Sequence, residues 1–307
     1  MQPVKGIVLK LCAVVLFIVM SAMIKAASEQ VPPGQAVFFR SAFAIPVILI
    51  WIAFRGQLRT GLKARNPMGH VWRGLMGTMA MGLGFAALGL LPLPEATALG
   101  YAAPLLTVVF AAMFLDERVG LYRIGMVLLG MAGVVIVLAP RLTAFGGETV
   151  EVMQAVGALS ALTGAICAAL AQIYIRKMVA TEQTSAIVFY FSITSASLSL
   201  LTLPFGWVMP GASTATLLIG AGLLGGMGQI FLTSAYRFAD ASVVAPFDYA
   251  SIIFALGIGY VVFDEVPTRT MLMGAALVIL AGCLIIWRER QLGLKRGRAL
   301  AVRPPQV

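Results

Sequence analysis

Charged side chains make up only 11% of this 307-residue chain, against about 25% in ordinary soluble proteins. A soluble globule of this size would lack the surface charge to stay dissolved. Histidine occurs once, as His70, and the three cysteines (Cys12, Cys167 and Cys283) lie in separate apolar runs with no CxxC spacing. That argues against a zinc site or a disulfide framework and favours packed thiols. No HExxH, GxSxG, P-loop or aspartate-rich diphosphate motif occurs. Missing the P-loop, the chain is not by itself an ATP-driven pump. Neither a metal nor an organic cofactor is expected.

What is abundant is apolar. Hydrophobic residues reach 60%, and mean hydropathy is +0.97. Runs of roughly 20 mostly apolar residues, enough to cross a ~30 Å hydrocarbon core, recur from end to end. The sequence predicts an all-α polytopic membrane protein with ten transmembrane helices, near 5–27, 35–54, 70–91, 95–115, 121–139, 152–179, 185–208, 214–235, 242–263 and 268–287. Turn chemistry separates them: VPPG at 31–34, LPLP at 91–94, the stretch 140–151 and MPGAS at 209–213. Lys5 and Lys10 before an apolar run imitate a secretory signal, but no small-residue cleavage site follows, so the first helix is read as retained.

Basic residues orient the bundle. With a cytoplasmic N-terminus, 18 of the 22 Lys and Arg, Lys10 and Arg73 among them, fall on the inside. Only Lys25, Arg40, Arg141 and Arg269 fall toward the outside, which places both termini in the cytoplasm. The +10 formal charge therefore points to anionic lipid headgroups, not to nucleic acid. The arm 55–69 and the tail beyond Arg288 read as solvated basic surface.

The halves resemble each other. LGYAAPLLTVVFAAMFLDE (99–117) lies over FDYASIIFALGIGYVVFDE (247–265) at an offset of 148, pairing Tyr101 with Tyr249 and Asp116–Glu117 with Asp264–Glu265. The following helices align at 149, Gly125 with Gly274 and Gly133 with Gly282. Five helices per half is an odd number, so the second half is inverted. Inverted repeats of this kind bind substrate near the midplane, where the repeats meet. The expected division is 1–145, 146–288 and a basic cytoplasmic tail, 289–307.

Five plus five helices, an acidic residue closing helices four and nine and an Ala/Gly-rich helix after each resemble the drug/metabolite transporter superfamily. The closer likeness is to its EamA-type exporters, in particular the branch that exports aromatic amino acids and paraquat. That resemblance implies a ten-helix bundle in the bacterial cytoplasmic (inner) membrane, with helices 1, 3, 4, 6, 8 and 9 around a central cavity. One departure stands out. Members often carry proline in both helix four and helix nine, but here Pro104 aligns with Ile252 and the second half has Pro246 instead.

Ionisable groups within spans are functional candidates by default. Asp248 reads as two turns inside helix nine, with either a structural basic or hydroxyl partner or a substrate contact. Arg40 and Glu95 are candidate charge partners. Arg40 and Lys25 are long enough to snorkel to headgroups, and Glu95 fits the N-terminal end of helix four. Gly82, Tyr101, Gln172, Gln229, Asp248 and Tyr249 form the candidate substrate cavity, the tyrosines and glutamines offering polar tips on an otherwise apolar wall. Small residues recur every fourth position at Gly74, Thr78, Gly82 and Ala86, at Ser160, Gly164 and Ala168, and at Gly222 and Gly226, for close packing or for sliding. His70 and the four tryptophans read as interfacial.

The expected function is a secondary transporter, not an enzyme, exporting small metabolites by alternating access. Amino acids, aromatic and other neutral ones, are the leading substrates. Cationic drugs or a nucleotide-like or cofactor metabolite are the alternative. A monomer suffices to enclose a pathway, and the glycines of helices five and ten (Gly125, Gly133, Gly274, Gly282) leave room for a dimer.

Overall fold

The computed structural model describes residues 3–57, 60–114, 120–142, 149–179, 181–238 and 245–301. The acidic pair Asp116–Glu117 lies outside them. Twelve α-helices are described: α1 (Pro3–Ala27), α2 (Pro33–Ala42), α3 (Ala44–Phe54), α4 (Pro67–Leu90), α5 (Leu93–Gly100), α6 (Ala102–Phe114), α7 (Leu121–Leu142), α8 (Thr149–Met178), α9 (Thr184–Ser199), α10 (Ala212–Phe238), α11 (Ser251–Phe263) and α12 (Arg269–Ala301). Eight helical stretches are long and apolar enough to cross a membrane, and two shorter apolar ones, Ile124–Pro140 and Phe247–Phe263, bring the crossings to the expected ten. Large apolar side chains such as Leu128, Val135, Ile253 and Val261 face outward, as a lipid-facing surface requires.

Proline sets both starts and breaks. Pro33, Pro67 and Pro94 occupy the first or second position of α2, α4 and α5, where a missing N–H goes unnoticed. Inside a span the same deficit interrupts the ladder. Pro46 cannot donate to Ala42, and the second span breaks at Phe43 between α2 and α3. Pro104 cannot donate to Gly100, and the fourth span breaks at Tyr101. The ninth span differs from the expected continuous helix. A 3₁₀ segment, Ala245–Ala250, precedes α11, so Asp248 lies in that segment rather than inside an α-helix. The second half thus answers the Pro104 break with a 3₁₀ entry behind Pro246. The tenth span also outruns its predicted end: α12 continues to Ala301, 33 residues, or about 50 Å at 1.5 Å per residue.

The helices pair α1 with α10, α4 with α8, and α7 with α12. Exchanging the first five spans for the last five maps this pairing onto itself. Glycine makes each contact close. Gly222 and Gly226 of α10 receive the α2–α3 break, a Cβ at Gly226 falling 3.0 Å from Ala44 Cα. Gly164 of α8 lies on the α4 backbone at Ala80. At the α7–α12 crossing a Cβ on Gly133 would stand 2.7 Å from the Gly274 carbonyl oxygen, and one on Gly274 2.6 Å from that of Gly133. Gly282 is covered by the Tyr249 ring. Three of the four glycines that had suggested a dimer face are therefore spent inside the chain; only Gly125 is open. Gly133→Val should destabilise the protein by about 1–3 kcal/mol through overpacking, measured as thermal unfolding in detergent, and Gly125→Val should change little.

Several polar groups sit deeper than expected. Lys10 is 2% exposed, and Arg40, Arg73 and His70 are buried too, so their side chains are packed inside the protein. The arm before α4 is docked rather than simply solvated. Glu182 accepts from the backbone N–H groups of Arg65 and Asn66, both at 2.6 Å, and faces His70 at 3.6 Å. Ser185 and Tyr190 donate to the Gly61 and Leu62 carbonyls. Trp51 and Trp72 lie near the ends of α3 and α4; Trp207 stands outside the helices and donates to Thr202 Oγ1, and Trp287 closes the apolar stretch Arg269–Arg288 but falls in the middle of the longer α12.

Candidate functional site

A cavity of about 420 Å³ opens between α1, α4, α5, α6, α8 and the start of the ninth span. Its walls are mostly apolar, with Phe17, Ile18, Met81, Phe85, Leu88 and Pro104 prominent. Ser21, Thr97, Tyr101, Gln172, Asp248 and Ser251 supply the polar groups. Volume and lining are those of a small-molecule site. Glycine and alanine make the room: Gly84 and Gly100 have open space where a Cβ would be, and Ala161, Ala165 and Ala168 flatten the α8 wall.

Of the six predicted cavity residues, Tyr101, Gln172 and Asp248 line it. Gly82, Gln229 and Tyr249 are not among the lining residues. Gly82 faces Val37 of α2, 4.0 Å from where its Cβ would lie, and Gln229 is buried on α10. Tyr249 stands one layer back, edge-on to Tyr101 with ring centroids 5.1 Å apart. Glu95 is buried in the first turn of α5 and Arg40 in α2, both outside the lining. The sequence reading missed Thr97 and Ser251. Ser251 follows Asp248 by three residues, the spacing at which a hydroxyl returns to a carbonyl.

At the Asp248 end the hydrogen bonds have a direction. Ser251 Oγ donates to the Asp248 carbonyl at 2.7 Å, so its single proton is used. The Tyr101 hydroxyl stands 2.7 Å from Ser251 Oγ and 3.3 Å from the Tyr249 carbonyl, so its single proton is also taken up within the protein. With the Asp248 carboxylate beside them, these hydroxyls present lone pairs, not protons, to the cavity. Asp248 Oδ1 pairs with Lys10 Nζ at 2.6 Å, yet the Asp248 side chain stays 36% exposed. The wall therefore accepts hydrogen bonds and carries one carboxylate whose charge Lys10 balances. Tyr101→Phe should lower stability by about 0.5–1.5 kcal/mol by removing a bonded hydroxyl, and free Ser251 Oγ to accept from a ligand instead; thermal unfolding and a saturation curve for transport measure the two effects.

At the other end of the cavity, where α1 and α11 finish, the chain is tied shut. Lys25 Nζ pairs with Glu265 at 3.0 Å and donates to the carbonyls of Leu91 at 2.6 Å and Leu88 at 3.2 Å. Glu265 also accepts from the Leu93 N–H at 2.8 Å, capping α5 instead of the helix that follows it in sequence. Lys25 therefore does not snorkel. Among the described residues no three of His, Cys, Asp and Glu gather as metal ligands would.

Comparison with known proteins adds the family. The pseudopaline exporter CntI of Pseudomonas aeruginosa (strain UCBPP-PA14) is 32% identical over 290 residues, 93% of this chain and 97% of its own. The S-adenosylmethionine uptake transporter of Rickettsia prowazekii (strain Madrid E) is 29% identical, covering 84% of each chain. The riboflavin transporter of Vibrio cholerae serotype O1 is 28% identical over 94% of this chain and 96% of its own. One crystal structure, 23% identical with a TM-score of 0.67, covers 94% of this chain and 98% of its own and shares the fold. The EamA-like transporter family matches in two stretches, residues 4–139 and 155–287, and the chain is a multi-pass membrane protein belonging to that family.

Proposed function

We propose that the protein is a secondary transporter of the bacterial inner membrane that exports a small metabolite carrying an α-amino acid group, by alternating access, as a monomer. The two halves, 1–145 and 146–288, move against each other about the cavity, and 289–307 is a basic cytoplasmic extension. The observation that carries this is the acceptor-lined end of the cavity: Asp248, Tyr101 and Ser251 offer a carboxylate and lone pairs to an ammonium group. Gln172 offers an amide that serves a carboxylate equally well. The apolar remainder suits a neutral or aromatic side chain.

Export follows the direction named for the relative at 32% identity; another relative is named for uptake. A second reading, a cofactor-like metabolite, is favoured by the relatives named for S-adenosylmethionine and riboflavin. Organic cations are a third class that the same carboxylate and aromatic walls suit.

The test is counterflow into proteoliposomes without an ion gradient. Vesicles are preloaded with unlabelled amino acids, S-adenosylmethionine, riboflavin or an organic cation and given trace labelled compound. Saturable exchange of amino acids is expected. Exchange confined to the cofactors or to the cation transfers the assignment to that class, and a flat panel with folded, inserted protein overturns all three.

A further inference from the structure

Two buried cations take no part in the cavity. Arg40 on α2 is 3% exposed and Arg73 on α4 is 5% exposed. Their guanidinium carbons stand 5.5 and 3.9 Å from the centroid of the same ring, that of Phe191 on α9. Among the described residues Arg40 Nη2 reaches only the Gly225 carbonyl of α10, at 3.5 Å. Arg40 Nε, Arg73 Nε and Arg73 Nη1 are buried with no hydrogen-bond partner among the described residues. The helices around them offer no counter-charge: α2, α4, α9 and α10 contain not one Asp or Glu. Glu182, which faces His70 of α4, is engaged with Arg65, Asn66 and His70.

Two like charges removed from water and set against one another are strongly unfavourable. Attraction to the face of one aromatic ring offsets only a small part of that. The surroundings are nonetheless shaped for them. A Cβ on Gly77 would strike Arg73 Nη1 and the Phe191 ring edge, and one on Gly225 would lie 2.9 Å from Arg40 Nε. Glycine at both places admits the guanidinium groups. The geometry points to a buried anion site, in which Arg40 and Arg73, converging on Phe191, hold a small anion: an inorganic one or the carboxylate of a metabolite. Guanidinium forks suit such ligands because their donors are planar and permanently charged.

The site is separate from the cavity. None of these residues lines it. Met20 of α1 meets Gly225 beside Arg40, on the same helix that supplies Phe17, Ile18 and Ser21 to the cavity wall. Anion binding here does not depend on what the cavity carries, and it is read as stability, not as transport.

The test uses the full-length protein in detergent, its unfolding followed by tryptophan fluorescence. Sodium chloride, sodium phosphate and sodium acetate are titrated against a bulky organic sulfonate at constant ionic strength. Unfolding temperature should rise saturably with at least one of the three, as linkage requires of a ligand that binds only the folded state. Arg40→Gln and Arg73→Gln should each flatten that rise. A response to chloride or phosphate assigns an inorganic anion; a response to acetate alone assigns a metabolite carboxylate. In the sulfonate alone, Arg73→Met should unfold no lower than the wild type, because it removes a charge that has no counter-ion there. Should the glutamine variants not fold, Arg40→Lys and Arg73→Lys keep the charge without the fork and should raise the half-saturating concentration about tenfold. A wild type indifferent to all three anions, or variants that respond with undiminished size and midpoint, overturns the site.

Discussion

Asp248→Asn is expected to lower stability by about 3–5 kcal/mol, because it leaves a buried ammonium without its carboxylate. The two partners are not equivalent. Lys10 is 2% exposed and Asp248 36%, so Asp248→Asn takes the carboxylate from the deeper of the two charges. Lys10→Met strands a carboxylate that water in the cavity can reach, and should lose only about 1–3 kcal/mol. Removing both should recover part of the summed loss, a coupling of about 2–3 kcal/mol in a double-mutant cycle followed by thermal unfolding. Strictly additive losses would mean that the pair holds nothing together. Transport by the restored double variant then separates two roles for Asp248. If it carries a coupling proton, counterflow survives and accumulation driven by a pH gradient is lost. If it receives a substrate ammonium, both are lost.

That pair also shows how far the sequence reaches. Asp248 stands out from composition alone as a carboxylate in an apolar span, but Lys10 reads as one more cytoplasmic lysine before a hydrophobic run. Nothing local distinguishes a lysine that faces headgroups from one that turns inward; the distinction is made by Asp248 in the 3₁₀ segment before α11, nearly 240 residues later in the chain. The same holds for Arg40 and Arg73, which basic-residue counting assigns to opposite membrane faces and the fold brings to one ring. Positive-inside counting is a statistic over loops, and it says nothing of which span a side chain crosses toward.

Span number and breaks are more legible, since they follow from local physics. Apolar length fixes the crossings, and Pro46 and Pro104 each leave the carbonyl four residues upstream without its donor, so the helices break just after Ala42 and Gly100. The 148-residue offset also had geometric content. Tyr101 and Tyr249, matched by that offset, meet edge to face, and the Tyr101 hydroxyl lies 3.3 Å from the Tyr249 carbonyl. What the repeat could not give is the lining. Gly82 is on a lining helix, α4, but turned toward α2, and Gln229 is buried on α10, which gives the cavity no lining residue; helix rotation and neighbourhood are set by packing partners.

The tie at the far end of the cavity yields the second large effect. Asp264 takes a left-handed conformation, φ 54°, which turns the chain so that the Glu265 N–H returns to the Gly259 carbonyl. The Glu265 carboxylate is thereby aimed at Lys25 and at the first N–H of α5. Gly259 lets α11 come close enough, since a Cβ there would lie 3.0 Å from Pro94 and 3.1 Å from the carboxylate. Glu265→Ala should lose about 2–4 kcal/mol, the sum of a charge-assisted cap and a half-buried ion pair. Glu265→Gln should lose less, because an amide oxygen still accepts from Leu93. Lys25 keeps the Leu88 and Leu91 carbonyls in either variant, so its ammonium is not stranded. The more telling consequence is access. With Cys12, Cys167 and Cys283 replaced, Thr97→Cys puts one thiol on the cavity wall a turn beyond the tie. A membrane-impermeant maleimide applied from the side where α1 ends should label that thiol several-fold faster in Glu265→Ala, because α1, α5 and α11 are no longer held by one carboxylate and the equilibrium moves toward the state open on that side. Unchanged labelling together with unchanged unfolding would show that the three helices are closed by packing alone, and that the ion pair is incidental to access.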